Sequence, residues 1–122
     1  MEFGRYIAEI RDRKGFSLRE LERRAGDLSH VYIWRLEKGD RDAPSDATVE
    51  KLAKALELTQ REWEIVVLLL KTDIDDRLYE LMVERPDIPI EDIEPVATMS
   101  FRGNRPTDQA GWLKAIEMVK SF

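Results

Sequence analysis

Helix-start signals and glycine stops alternate between Gly15 and Glu62 and leave room only for short helices. Ser17-Leu18-Arg19-Glu20 has the form of a capping box, in which Ser17 and Glu20 satisfy each other's backbone donors. Phe16 and Leu21 flank it as a hydrophobic staple, and Gly26 stops the segment after Ala25. Ser29 caps a third segment, stapled by Leu28 and Ile33 and stopped at Gly39. Pro44-Ser45 opens a fourth, with Val49, Leu52, Ala53 and Leu56 on one face. Thr59-Gln60-Arg61-Glu62 is a second capping box, stapled by Leu58 and Trp63. Ahead of these, Phe3, Tyr6, Ile7 and Ile10 recur at helical spacing before Gly15. No stretch alternates convincingly with period two. The reading is all-α, with a five-helix domain over residues 1–72.

Residues 73–122 are punctuated less clearly. Asp73, Asp75 and Asp76 enrich the first turn of a sixth helix, which Ile74, Leu78, Leu81 and Met82 give an apolar face and Arg85-Pro86 closes. The prolines between Pro86 and Pro95 predict an irregular, proline-rich connection with room for one helical turn. Val96 to Phe101 reads as a short strand. Thr107 caps a final helix in which Trp112, Ile116 and Val119 share a face. The extension therefore holds one or two helices, with no internal repeat and no low-complexity segment.

Composition removes several classes of function. The chain has 122 residues, no cysteine and 1 histidine, so disulfides, thiolate metal sites, a cysteine nucleophile and multi-imidazole sites are excluded. The longest apolar run, Ile65 to Leu70, is far too short to span a membrane, and no signal peptide opens the chain, so a cytoplasmic protein is expected. A surface helix needs only an apolar stripe, so this run requires cover on nearly all sides. Either the later helices supply it or a second subunit does. Val66, Leu69 and Leu70 are the residues expected at a homodimer contact.

Charge is divided along the chain. Residues 1–58 carry 12 Lys/Arg and 12 Asp/Glu, so the net −5 comes entirely from residues 59–122, with 8 against 13. Between Arg5 and Arg41 there are 10 basic and 7 acidic residues, a local +3 that permits contact with phosphate. Two short helices joined by Gly26-Asp27-Leu28, apolar only on their inner sides, are what a helix-turn-helix requires. The second would bury Ile33 and Leu36 and leave His30, Val31, Trp34, Arg35 and Lys38 on other faces. Arg35 can read guanine by paired donors, and His30 lies near the helix N-terminus, where such helices meet bases. The N-termini of the second and fourth helices can offer backbone N–H groups to phosphates.

The order of residues resembles the XRE, or Cro/CI phage-repressor-like, helix-turn-helix family. The resemblance runs from Phe3 to Leu70. It is carried by Ile10-Arg11, Gly15-Phe16-Ser17, Leu21, Ala25-Gly26, Tyr32-Ile33, Arg35-Leu36-Glu37-Lys38-Gly39, Pro44-Ser45, Thr48 and Leu52-Ala53-Lys54-Ala55-Leu56. It implies a five-helix domain that binds double-stranded DNA, usually as a dimer on a roughly palindromic operator, and a structural ion pair between Arg11 and Glu37. The residues expected at DNA are Arg19, Ser29, His30, Val31, Tyr32, Trp34, Arg35, Lys38 and Arg41. Arg19 and Arg41 either contact phosphate or are simply solvated. Tyr32 is either a phosphate contact or part of the packing. Trp34 either packs on sugar and a thymine methyl or covers the protein itself.

Departures from the family pattern touch the same surface. Leu18 stands where many members have a glutamine that touches the DNA backbone, and the turn Gly26 to His30 is one residue longer than the commonest form. Asp40 and Asp42 add negative charge near the expected phosphate contacts. Glu57 stands where glycine is common, and the sequence attaches no consequence to it.

Catalysis has little to work with. No Gly-x-Ser-x-Gly elbow, Walker loop or dinucleotide fingerprint is present, and a Ser-His-Asp arrangement would have to use His30. The acidic groups Glu91-Asp92-Ile93-Glu94 and Asp73, Asp75, Asp76 lack calcium-loop spacing and read as solvated faces. Neither an enzyme nor a cofactor or metal site is expected. The expected function is a sequence-specific DNA-binding transcriptional regulator, a homodimeric repressor. Its rival is an antitoxin-like protein whose residues 73–122, with Trp112 and Phe122, dock a protein partner, or those residues only complete the core.

Overall fold

In this computed structural model, residues 1–40, 43–101 and 103–121 are described. Among them are eight helices and no strand: α1 Phe3–Arg13, α2 Leu18–Ala25, α3 His30–Lys38, α4 Asp46–Ala55, α5 Gln60–Lys71, α6 Asp76–Glu84, α7 Ile90–Ala97 and α8 Gln109–Lys120. The chain divides into two compact units, residues 2–66 and residues 67–122 with Met1, the division falling inside α5.

In residues 2–66 the helix starts follow the caps. Ser17, Ser29 and Ser45 each accept a backbone N–H three residues ahead, at 3.0, 3.1 and 3.2 Å. At α5 the capping box is reciprocal: Glu62 takes the Thr59 N–H at 2.8 Å and Thr59 takes the Glu62 N–H at 3.1 Å. The box at Ser17 is only half made, because the Glu20 carboxylate turns instead to Arg23 and Arg24. Gly39 ends α3 in the left-handed region, with φ 76°. The Asp40 N–H then reaches back to the Arg35 carbonyl, closing the helix end.

These helices pack through Tyr6, Ile7, Ile10, Leu21, Ile33, Leu36, Val49, Leu52 and Leu56, all buried. α1 lies on α3 with unusual closeness at Gly4, where a Cβ would stand 2.0 Å from the Leu36 carbonyl oxygen. Arg11 ties the same helices by a bidentate pair to Glu37, at 2.7 and 3.0 Å, and donates to the Phe16 carbonyl at 2.9 Å. Glu37 is 5% exposed, so its charge depends on this partner. Glu57 has φ 54°, the left-handed region that a glycine occupies without strain.

Residues 67–122 depart from expectation in three places. The stretch read as an irregular connection contains α7, which accommodates Pro95 in its last turn. Ile93, Val96 and Ala97 are buried at helical spacing, so the short strand expected from Val96 to Phe101 does not form; Val96 and Ala97 close α7 instead. α8 is capped by Asp108, which accepts the Gly111 N–H at 2.8 Å, and not by Thr107. The extension thus holds three helices rather than one or two.

α8 packs on α6 and α7 through Trp112 and Ile116. Trp112 is fully buried, meets Phe101 edge-on with centroids 5.6 Å apart, and carries the Arg105 guanidinium 5.4 Å from its ring. Trp112 is therefore a core residue and offers nothing to a docking partner, while Phe122 lies outside the described residues. The apolar run of α5 is mostly covered: Ile65, Val66, Leu68 and Leu69 are buried within the single chain, and Leu70 is 37% exposed.

Candidate nucleic-acid interface

α2 and α3 are joined by a tight turn in which Gly26 takes φ 87° and Leu28 tucks into the core. Ser29 then starts α3. Its inner side buries Ile33 and Leu36 completely or nearly so. Val31, Trp34, Arg35 and Lys38 follow at i, i+3, i+4 and i+7 and form one outward stripe, all exposed. Val31 is 48% and Trp34 44% exposed, two apolar side chains set side by side on the stripe that carries Arg35 and Lys38.

The charges around this stripe are distributed unevenly. Many cations of residues 2–66 are already committed: Arg11 to Glu37, Arg13 to Glu9 and Glu62, Lys14 to Glu62, Arg23 and Arg24 to Glu20, and Lys51 to Asp27. Arg24 also lies over the Phe16 ring, 4.0 Å from its centroid. Among the described residues Arg35 and Lys38 enter no ion pair, and neither does Arg19 in the first turn of α2. Guanidinium and ammonium groups that enter no ion pair are what a polyanion meets most favourably.

His30 is differently placed. The Glu22 carboxylate accepts the His30 backbone N–H at 2.6 Å and lies 3.1 Å from Nδ1 of its ring. That backbone hydrogen bond first, then the ring and finally the charge of Arg19 hold the Glu22 carboxyl below its ordinary range. Glu22 thus pins the start of α3 to α2, and His30 has only Nε2 uncommitted. Tyr32 is half-buried, and its backbone N–H is taken by Ser29. Arg41 and Asp42 lie outside the described residues. Of the three residues expected at a dimer contact, Val66 and Leu69 are covered by the chain itself, which leaves Leu70 at the surface.

Two positions that shape this surface carry no mark in the sequence reading. Glu22 meets His30 eight residues away, beyond any local spacing rule. Gly4 meets Leu36 across two helices. Its only signal is a glycine inside a helical pattern, which costs stability unless a close approach requires it.

A capped helix with an apolar inner face, packed behind a second short helix through a glycine turn, defines a helix-turn-helix protein. The family model for the helix-turn-helix domain matches residues 2–64, and the chain belongs to that family, one associated with XRE-like regulators. Comparison with curated proteins gives no match. The domain points to a DNA-binding regulator. Among the described residues no helix is long and apolar enough to cross a membrane, and no group of three or more His, Asp or Glu side chains is placed to hold a metal ion.

Proposed function

We propose that the chain is a sequence-specific DNA-binding transcriptional regulator, a cytoplasmic homodimeric repressor that reads a palindromic operator and catalyses no reaction. The observation that carries this is the outer stripe of α3. Arg35 and Lys38 stand there outside any ion pair among the described residues, beside exposed Val31 and Trp34, while Ile33 and Leu36 lock the opposite side into the core.

Helix α3 enters the major groove, Arg35 donates to base edges, and Lys38, Arg19 and Arg41 set register on the phosphates. Ser29 and Tyr32 start the helix at the groove, and His30 offers Nε2 there. A two-fold operator requires two copies of α3, and Leu70 belongs to the surface on which the copies meet. The test is selection from a random duplex library at moderate salt, followed by light scattering of the complex. An enriched inverted repeat bound by two chains is expected. Failure of any sequence to enrich would overturn the proposal.

A second reading, an antitoxin-like protein that engages a partner through residues 73–122, is favoured by Val83 and Met118, which are 53% and 58% exposed on α6 and α8. A chain that binds an operator equally well after both are changed to Ser, and that forms no complex with any neighbouring gene product, would remove it.

A further inference from the structure

Among the described residues of 2–66, the exposed large hydrophobic side chains are Val31 and Trp34. They are three residues apart on one helix, and Arg35 and Lys38 continue the same stripe. Packing does not require them there, since Ile33 and Leu36 already fill the inner side of α3. Phosphates are served by the neighbouring cations and gain nothing from a valine, and the sugars lie along the groove walls and carry no sequence information. The floor of the major groove carries one apolar group, the C5 methyl of thymine.

We infer that Val31 and Trp34 read thymine methyls, so that this chain recognises DNA by an apolar contact set beside the guanine read by Arg35. The inference rests on the DNA-binding proposal and names the chemistry by which that surface selects its site. The cations flanking the stripe favour a polyanionic occupant over an apolar protein surface, which would strand Arg35 and Lys38 on desolvation. Geometry adds a constraint. Val31 and Arg35 are four residues apart, about 6 Å along the helix axis, or under two base-pair steps of about 3.4 Å. The thymine and the guanine therefore lie within about two base pairs of each other.

The experiment uses the full chain and the duplex enriched from the random library. Each thymine is replaced in turn by uracil, which removes only the C5 methyl, and affinity is measured by fluorescence anisotropy. One or two positions should each weaken binding about fourfold, the worth of one buried methyl-sized group. The loss should disappear at the matching position in Val31→Ala or Trp34→Ala. Both sites are exposed and alanine is the better helix former, so both variants should fold. The sensitive thymine should lie within about two base pairs of the position relaxed by Arg35→Ala, given the same helix geometry.

Uracil silent at every position in a duplex that still binds would overturn the inference and leave the DNA-binding proposal standing. A sensitive thymine far from the Arg35 position, or one equally sensitive in both alanine variants, would also overturn it. If no sequence enriches, both fall together.

Discussion

Residues 2–66 and residues 67–122 expose apolar side chains in different local electrostatic settings. In the first unit Val31 and Trp34 stand on α3 beside Arg35 and Lys38, which enter no ion pair among the described residues. In the second, Val83, Met99 and Met118 are exposed on a stretch that carries 7 Lys/Arg against 11 Asp/Glu. Similar apolar exposure therefore suits different partners. Phosphate approaches the first surface with gain and the second against repulsion. The units also differ in what holds them. The first is fastened by serine caps, a bidentate Arg11–Glu37 pair and the close approach at Gly4. The second gathers α6 and α7 around one tryptophan on α8.

The largest expected effect lies in the second unit. Trp112→Ala should cost about 3–5 kcal/mol, as truncation of a buried aromatic does. Urea unfolding followed by circular dichroism measures it, and a loss under about 1 kcal/mol would mean that Trp112 is not the centre of that core. In the first unit Gly4→Ala should cost about 1–3 kcal/mol, because the new Cβ meets a backbone carbonyl that can move only with α3. It should weaken operator binding as well. Unchanged stability would show that α1 and α3 are not held so closely.

Within the interface, Arg35→Ala should lose about 1–3 kcal/mol of binding and relax specificity at one position. Arg19→Ala should weaken all sequences alike and lower the salt slope by about 1, so an unchanged slope would remove Arg19 from the phosphate contacts. Glu57→Gly should gain up to about 1 kcal/mol by relieving the left-handed backbone, since its contact with Arg24 is an exposed one at 3.8 Å. A loss of stability there would contradict the assigned strain.

The smallest effect is a pH dependence at the α2–α3 joint. Glu22 has its carboxyl lowered from the ordinary 4.5, so its hold on α3 is fully present above that value and is lost as pH falls through the lowered one. The His30 amide resonance should follow that titration in an acid series and cease to do so in Glu22→Gln. Titration at the ordinary carboxylate value would mean that the clamp is absent in solution.

Local rules account for what was legible in the sequence. Ser17, Ser29, Ser45 and Thr59 act through a neighbour three residues on, and each starts its helix where the spacing put it. Glu20 shows the limit of such rules, because Arg23 and Arg24 on the next turn compete for its carboxylate. Thr107 and Asp108 are both cap formers, and nothing local decides between them. Pro95 disguised α7: a proline inside a short segment reads as a break, yet burial of Ile93, Val96 and Ala97 outweighs the hydrogen bond it removes. The interface was half legible. The stripe on α3 follows from helical periodicity, whereas the Glu22–His30 clamp and the seat of Gly4 depend on helices meeting in space. The cover over Val66 and Leu69 was open in the sequence for the same reason.

The most direct test of the account is an amide spectrum of the full chain titrated with the enriched duplex. Shifts concentrated at the start of α2 and along Ser29 to Lys38 are expected, with α6 to α8 little changed except at contacts made by dimerisation. Shifts centred on Val83, Met99 and Met118, with α3 unmoved, would contradict it.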